Sequence, residues 1–554
     1  MKAYKIFAVL FAGGLLMTSC DSFFDTVPHD QLTPSTFWKS EDDAKQALTA
    51  CYNNWVDQNR GSSLCFYEDV MSDIGFNYTH TGNYAYVGSG APTAAHAVNY
   101  YKYTAIHSVN LFLEHINDVP FSDEALKKDY IAQARVIRAW NYFRLCWLYG
   151  GVPLITKTLE TSEEAQLPRN SEEEVQKFVI DELNAAIPDL PTEAAAKGRI
   201  DKGTAMAIEM RAQLYWGNYN EARNLARQIV ALNKYSLDPD FLHIFTIAGQ
   251  DSPEIIYAYQ HIKNTFNYSD MIRFPNNADG GWASWVPTQN LVDMFEMKNG
   301  LMPNDPGSEY DPVHPYANRD PRLKNTIVYP GVDWVGQNGV HRIFDTVDKL
   351  IDGKKNNDYY LAADKASKTG LIWAKYNTPL TQYTKSYSDD NLCPIYFRYA
   401  EILLTIAECD VELNDNLSEA LDLIDQLRQR GGQIKVDRSR YVTQQQIRTL
   451  VRRERTIELA GEGFRRADIV RWKDENGRLV ANSVMKDLYR AIGTVDFNEK
   501  DPDKRFIQTL PTEENKTERL IEVRSFQDYQ RYMPIPQGQL DRNKNLTQTP
   551  GYDK

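Results

Sequence analysis

The chain has 554 residues and a formal charge of −13 at neutral pH, with 42% hydrophobic and 25% charged residues. Such acidity argues against nucleic acid as a partner and against a basic face docking on anionic lipid. The length allows a large buried core, and the excess of 33 Tyr over 22 Phe favours rings kept at a polar surface, where the phenol can hydrogen-bond.

The first element is an address. Lys2 and Lys5 precede an apolar run over residues 6–17, which ends in Thr18, Ser19 and Cys20. A membrane-spanning helix needs roughly 20 apolar residues. This run is shorter and no equivalent follows it, so a cleaved signal peptide over residues 1–19 is expected. Cys20 at the cut resembles the lipobox of bacterial lipoproteins, with Met17 where that box usually has Leu. Acylation of Cys20 would tether the chain without spanning the bilayer, each buried methylene adding roughly 0.8 kcal/mol. The remaining cysteines are Cys51, Cys65, Cys146, Cys393 and Cys409. Their odd number and lack of CxxC spacing speak against a disulfide scaffold and a zinc site, and Cys146 and Cys409 fall in apolar helical patterns that belong in a core.

Helical periodicity dominates the rest. A helix pair is expected around residues 37–56 and 100–117. In "AQARVIRAWNYFRLCWLYGGVPL", Val136, Trp140, Phe143 and Trp147 share one face, and Gly150, Gly151 and Pro153 end the helix. "DKGTAMAIEMRAQLYWGNYNEARNLARQIVAL" reads as two helices broken at Gly217 and Asn218, with small Ala222 and Ala226 where another helix can approach closely. This stretch resembles the tetratricopeptide pattern, and "AECDVELNDNLSEALDLIDQLRQRGG" repeats it less well around Ala420. The repeat is not continuous. The fold class expected is all-α: tetratricopeptide-like helix-turn-helix units forming one large body with long irregular loop excursions. Those loops, over residues 74–99, 262–290 and 300–395, are rich in Gly, Pro, Asn and Tyr, and loops of this length are often functional.

Several segments, in order along the chain, resemble the SusD/RagB family of nutrient-binding surface lipoproteins. They are "CDSFFDTVP", "ARVIRAWNYFRLCWLYGGVPL", "KGTAMAIEMRAQLYWGNYNEA", "VPTQNLVDMFEMKNG", "NRDPRL", "FRYAEILLTIAEC", "RERTIELAGEGFRRADIVRW" and "RYMPIPQGQLDRNKNLTQTPGY". Gly461, Phe464, Gln539 and Thr549 depart from the family's usual residues. The resemblance implies a SusD-like domain over residues 20–554, its N-terminal part about 20–270 and its C-terminal part about 271–554 packed as one body. It also implies a ligand site in the less regular region, and a SusC-like TonB-dependent β-barrel over which the lipoprotein closes as a lid. Asp21 and Asp25 resemble the family's signal for export to the outer leaflet. The location implied is the cell outer membrane, lipid-anchored and surface-exposed.

No HExxH, GxSxG or P-loop is present, so no catalytic residue is singled out. A glycosidase would need two carboxylates roughly 5–10 Å apart, and 75 Asp and Glu residues single out no pair. In "RRERTIELAGEGFRRADIVRW", Arg455 with Glu458, Glu458 with Glu462, and Asp468 with Arg471 have helical spacing, so an ion-pair network is expected there. Sugar binding pairs flat aromatic rings with polar rims. The candidates are Trp282 and Trp285 beside Gly280, Gly281 and Pro287, with Tyr78, Tyr84 and Tyr86 in the first loop and Asp73, Asn77 and Asn83 as polar partners. The alternative is that these rings bury under their own loops. Trp140, Trp147 and Trp216 belong to helices and are expected in the core. No cofactor is expected, and neither an EF-hand loop nor a His pair supports calcium or another metal. The function these features imply is capture of an oligosaccharide at the cell surface for delivery to the transporter. A RagB-like peptide cargo and a surface glycoside hydrolase are the alternatives.

Overall fold

The computed structural model describes residues 37–53, 55–56, 68–78, 83–335, 339–362, 365–377 and 391–553; the signal segment, Cys20 and Cys65 lie outside them. Ten helices carry the body: α1 (Glu41–Cys51), α2 (Thr104–His115), α3 (Glu124–Tyr149), α4 (Glu172–Ala186), α5 (Lys202–Tyr215), α6 (Tyr219–Ala231), α7 (Tyr399–Glu412), α8 (Leu417–Arg430), α9 (Gln444–Leu459) and α10 (Arg465–Arg471). Their starts are written locally. Ser40 with Asp43, Ser171 with Glu174, and Thr443 with Gln446 form reciprocal capping boxes that satisfy the first free N–H groups of α1, α4 and α9. Glu172, Glu173 and Glu174 place negative charge on the positive end of α4.

The two tetratricopeptide-like hairpins use one turn. Between α5 and α6 the Asn218 N–H donates to the Gln213 carbonyl (2.8 Å), with Gly217 at φ +80°. Between α7 and α8 the Asp415 N–H donates to the Asp410 carbonyl (2.9 Å), with Asn414 at φ +52°. Both are helix ends closed through a left-handed residue, a conformation open to Gly and tolerated by Asn. Ala222, Ala226 and Ala420 are buried at the hairpin contacts, where small side chains let the helices meet. Helix α3 stops at Gly150; at Gly151 a Cβ would lie 2.0 Å from the Asn170 carbonyl oxygen, so only glycine lets the two segments pass.

Helix α3 packs on α2 and α4, α1 on α2, and α7 on α6, α8 and α9. One buried cluster runs through them from Trp38 to Leu546. It contains Cys51, Cys146, Cys393 and Cys409, of which Cys51, Cys146 and Cys409 are free thiols. Trp140 and Trp147 are core residues, whereas Trp216, expected there, is only half-buried because it caps α5 at the turn. The architecture is the all-α, tetratricopeptide-like one expected from periodicity. Among the described residues strands pair only two at a time: β1 (Gly75–Asn77), β2 (Ile255–Ala258), β3 (Trp285–Pro287) and β4 (Ile395–Arg398) form the antiparallel pairs β1–β3 and β2–β4, and other short pairs brace the loops.

The charged segment of α9 and α10 pairs differently from its helical spacing. Arg471 does bond Asp468 (2.7 Å), but Arg455 turns to Asp468 (3.0 Å) rather than to Glu458. Glu458 and Glu462 instead receive the fully buried Arg398, whose guanidinium also reaches Glu254, each at 2.7 Å. Lys375 bonds Glu462 (2.8 Å), and Arg430 bonds Glu254 (3.0 Å) and Glu458. Three carboxylates and three cations thus close a neutral buried network tying β2, β4, α8 and α9 together. The pairing runs between elements because these side chains face the core, where an unpaired charge is too costly to keep.

Candidate functional site

The β1–β3 pair brings the first loop against the second in the register Asn77 to Trp285, Phe76 to Val286 and Gly75 to Pro287. Phe76, Ala283, Val286, Val328, Phe344, Ile372 and Leu488 form a second, smaller apolar cluster behind this pair. Tyr78 and Trp334 lie half-buried at its edge. Trp282, next to Ala283, is half-buried too. One segment links the first and last of these rings: the Lys365 ammonium stands 5.9 Å from the Trp282 ring centre, and Lys368, three residues on, stands 5.8 Å from that of Tyr78. The Arg273 guanidinium lies 5.3 Å from Trp282 and 5.2 Å from Trp285. The result is a surface of three partly exposed rings with three cationic groups among them.

A polar network fixes the backbone under these rings. The Trp334 indole N–H donates to Asp279 Oδ2 (2.7 Å), and Arg342 donates to Asp279 (2.9 Å) and to the Asn276 side chain (3.1 Å). Asp358 accepts from the Ala278 N–H and from Asn276 Nδ2, both at 2.8 Å. Burial raises the Asp358 carboxyl to about 6 although Arg342 and the main-chain bonds work against the rise. Loop 272–285 is therefore held from three directions, which orients Trp282 in advance of any ligand.

The sequence candidates separate by depth. Trp282 and Tyr78 lie on this surface. Trp285 does not: it is 1% exposed, because as a strand residue opposite Asn77 it points into the main core with its edge on Phe274. Asn77 is buried in the same pair. Asp73 is buried and takes two bonds from Arg465 (2.8 and 2.9 Å), so it fixes α10 rather than facing a ligand. Tyr84 is buried and tilted on Tyr100. Tyr86 stacks on His96 with centres 4.3 Å apart, and Asn83, at φ +67°, donates to the Ala97 carbonyl (3.0 Å); both brace their own loop. Trp334, Arg273, Lys365 and Lys368 were not singled out from sequence. Trp334 carries the same signal as Trp282, a tryptophan amid Gly, Asn and Asp in "GVDWVGQNG". The lysines carry none, since their role arises only from folding onto the rings. Among the described residues no three His, Cys, Asp or Glu side chains gather to hold a metal ion, and no helix is long and apolar enough to cross a membrane.

Helical hairpins from which long loops present rings and charges form a scaffold suited to binding. Residues 244–552 match the model of the SusD family, and residues 22–214 match a second family model described as "Starch-binding associating with outer membrane". The chain belongs to the SusD family. It is 26% identical over 516 residues to SusD-like protein P38 of Formosa agariphila, covering 85% of this chain and 92% of that one. The crystal structure of a SusD-like carbohydrate binding protein from Bacteroides fragilis superposes with a TM-score of 0.78 at 27% identity, covering 92% of this chain and 100% of the other. A second SusD-like protein of that species gives 0.77 at 24% identity, covering 95% and 100%.

Proposed function

We propose that this protein captures oligosaccharide at the surface around Trp282 and delivers it unaltered to a SusC-like TonB-dependent transporter, held at the outer membrane by lipid on Cys20. Membership of the SusD family supports this reading, as does the 27% identity to a structure named for carbohydrate binding. The second family's description, with its association with the outer membrane, supports the location. The single observation that carries the reading is the half-buried Trp282 ring on a loop braced by Asp279, Arg342 and Asp358. A pyranose presents an apolar C–H face to an indole and hydroxyls at its edge. Exposed Lys365, with a long flexible stem, is placed to donate to those hydroxyls. Capture of this kind needs no cofactor and no bond-making.

The test is titration of the full-length protein in detergent with oligosaccharides and with peptides, following tryptophan fluorescence. Trp282→Ala is expected to weaken sugar binding by about 1–3 kcal/mol, the size of an aromatic stacking contact, with the melting temperature unchanged. Saturable binding of peptides without any response to sugars would overturn the cargo. Release of reducing ends from polysaccharide would overturn capture without chemistry.

A further inference from the structure

Beside the turn that joins α5 to α6 lies a cavity of about 550 Å³, which shares no lining residue with the surface around Trp282. Pockets for small ligands span roughly 300–1,000 Å³. Trp216 and Tyr219 contribute half-buried rings to its wall, and Arg448, Arg452, Lys473 and Arg531 make that wall cationic in a chain of net charge −13.

The acids of the wall are largely engaged already. Glu412 accepts from Arg448 Nε (3.0 Å) and from Arg452 Nη2 (3.1 Å). Asp474 is closed into its own turn, accepting from the N–H groups of Asn476 and Arg478 (2.9 Å each) and from the Arg478 guanidinium (3.0 Å). Glu475 is exposed at the rim. Lys473 and Arg531 have no ion-pair partner among the described residues. The Arg531 guanidinium stands instead 5.8 Å from the Trp147 ring and 5.0 Å from Tyr532. Three donors of this one wall, Trp216 Nε1, Arg452 Nε and Arg531 Nε, are buried without an acceptor among the described residues. A buried donor left unpaired is costly, so this wall carries polar groups that the described residues leave unsatisfied. Burial holds the Arg452 guanidinium below its ordinary range despite its bond to Glu412.

We infer that this cavity is a second binding site, for a sugar ring bearing an oxyanion, with Trp216 and Tyr219 taking the ring and Arg531 and Lys473 taking the charge. A guanidinium offers parallel donors to a carboxylate or a sulfate, and an ammonium adds a compact charge beside it. Aromatic walls alone would suit a neutral sugar; Lys473 and Arg531, without an ion-pair partner among the described residues, select the charged one.

Calorimetric titration of the full-length protein in detergent separates the outcomes, with trigalacturonate as the carboxylate probe, a sulfated galactose trisaccharide as the sulfate probe and maltotriose as the neutral one. The expected result is binding of at least one charged trisaccharide that weakens as salt rises. Arg531→Gln and Lys473→Gln should each lower that affinity about tenfold, the loss of one charge-assisted contact. Lys473 is exposed, so its substitution leaves folding intact. In a Trp282→Ala background, where the surface proposed above no longer contributes, the remaining charged-sugar binding should still fall on Arg531→Gln, which separates this site from that one. The inference is overturned if no charged trisaccharide binds, or if both substitutions leave binding intact. It is also overturned if Trp282→Ala abolishes that binding, or if inorganic sulfate alone binds as tightly as the sugars.

Discussion

Replacing Arg398 by Met tests whether the buried charge network is structural. The guanidinium donates to Glu254, Glu458 and Glu462 and to the Glu458 carbonyl (2.8 Å), all at no more than 1% side-chain exposure. Met fills a similar volume but leaves three carboxylates facing Lys375 and Arg430 alone. Removing one partner of a buried pair costs about 3–5 kcal/mol, and the number of bonds lost here points to the upper end. That is a large share of a total stability of about 5–15 kcal/mol. The sign of the pH dependence follows from the imbalance. In the variant one buried carboxyl lacks a counter-charge, so its folded-state pKa rises above its unfolded value. The folded variant then holds a proton that the unfolded chain releases, and the deficit relative to the parent should shrink as pH falls from about 7 to about 5. Urea unfolding followed by far-UV circular dichroism at those two pH values measures both effects. A loss below about 1 kcal/mol, typical of a solvated surface pair, or a deficit independent of pH would refute the reasoning.

Trp285→Ala should destabilise the protein by about 3–5 kcal/mol, the usual cost of emptying a buried tryptophan site, in contrast to Trp282→Ala; differential scanning calorimetry of the two variants checks the ordering. Burial works against ionisation of Glu408 and Glu458, but Arg471 and Arg455 around the first, and Arg430, Arg398 and Lys375 around the second, outweigh it and hold both at about 2. Their stabilisation is complete above the unfolded value of about 4.5 and is lost as pH falls toward 2, so acid unfolding followed by tryptophan fluorescence should fall in that window. Cys20→Ala should give a folded protein absent from the membrane fraction in cells lacking the transporter, read by fractionation and immunoblotting.

Residues that repeat were legible from the chain alone. The spacing of Val136, Trp140, Phe143 and Trp147, and the hairpin break at Gly217 and Asn218, follow from helical period and from turn residues, both properties of neighbours in sequence. The segments resembling SusD/RagB were legible for a related reason. Glycines such as Gly151, where nothing larger fits, leave a mark at a fixed position. Trp282 and Trp285, by contrast, stand in one short loop with the same chemistry around them, and nothing local tells them apart. The pairing of β3 with β1 turns Trp285 into the core and leaves Trp282 at the edge. The charged residues of α9 told the same story. Their helical spacing suggested partners on their own helix, yet Glu458 finds Arg398, sixty positions away along the chain. Sequence set which side chains could bind, pair or pack, because those are properties of the residues. Tertiary structure decided which did so, because burial and partner distance belong to segments remote in the chain that meet only when it folds.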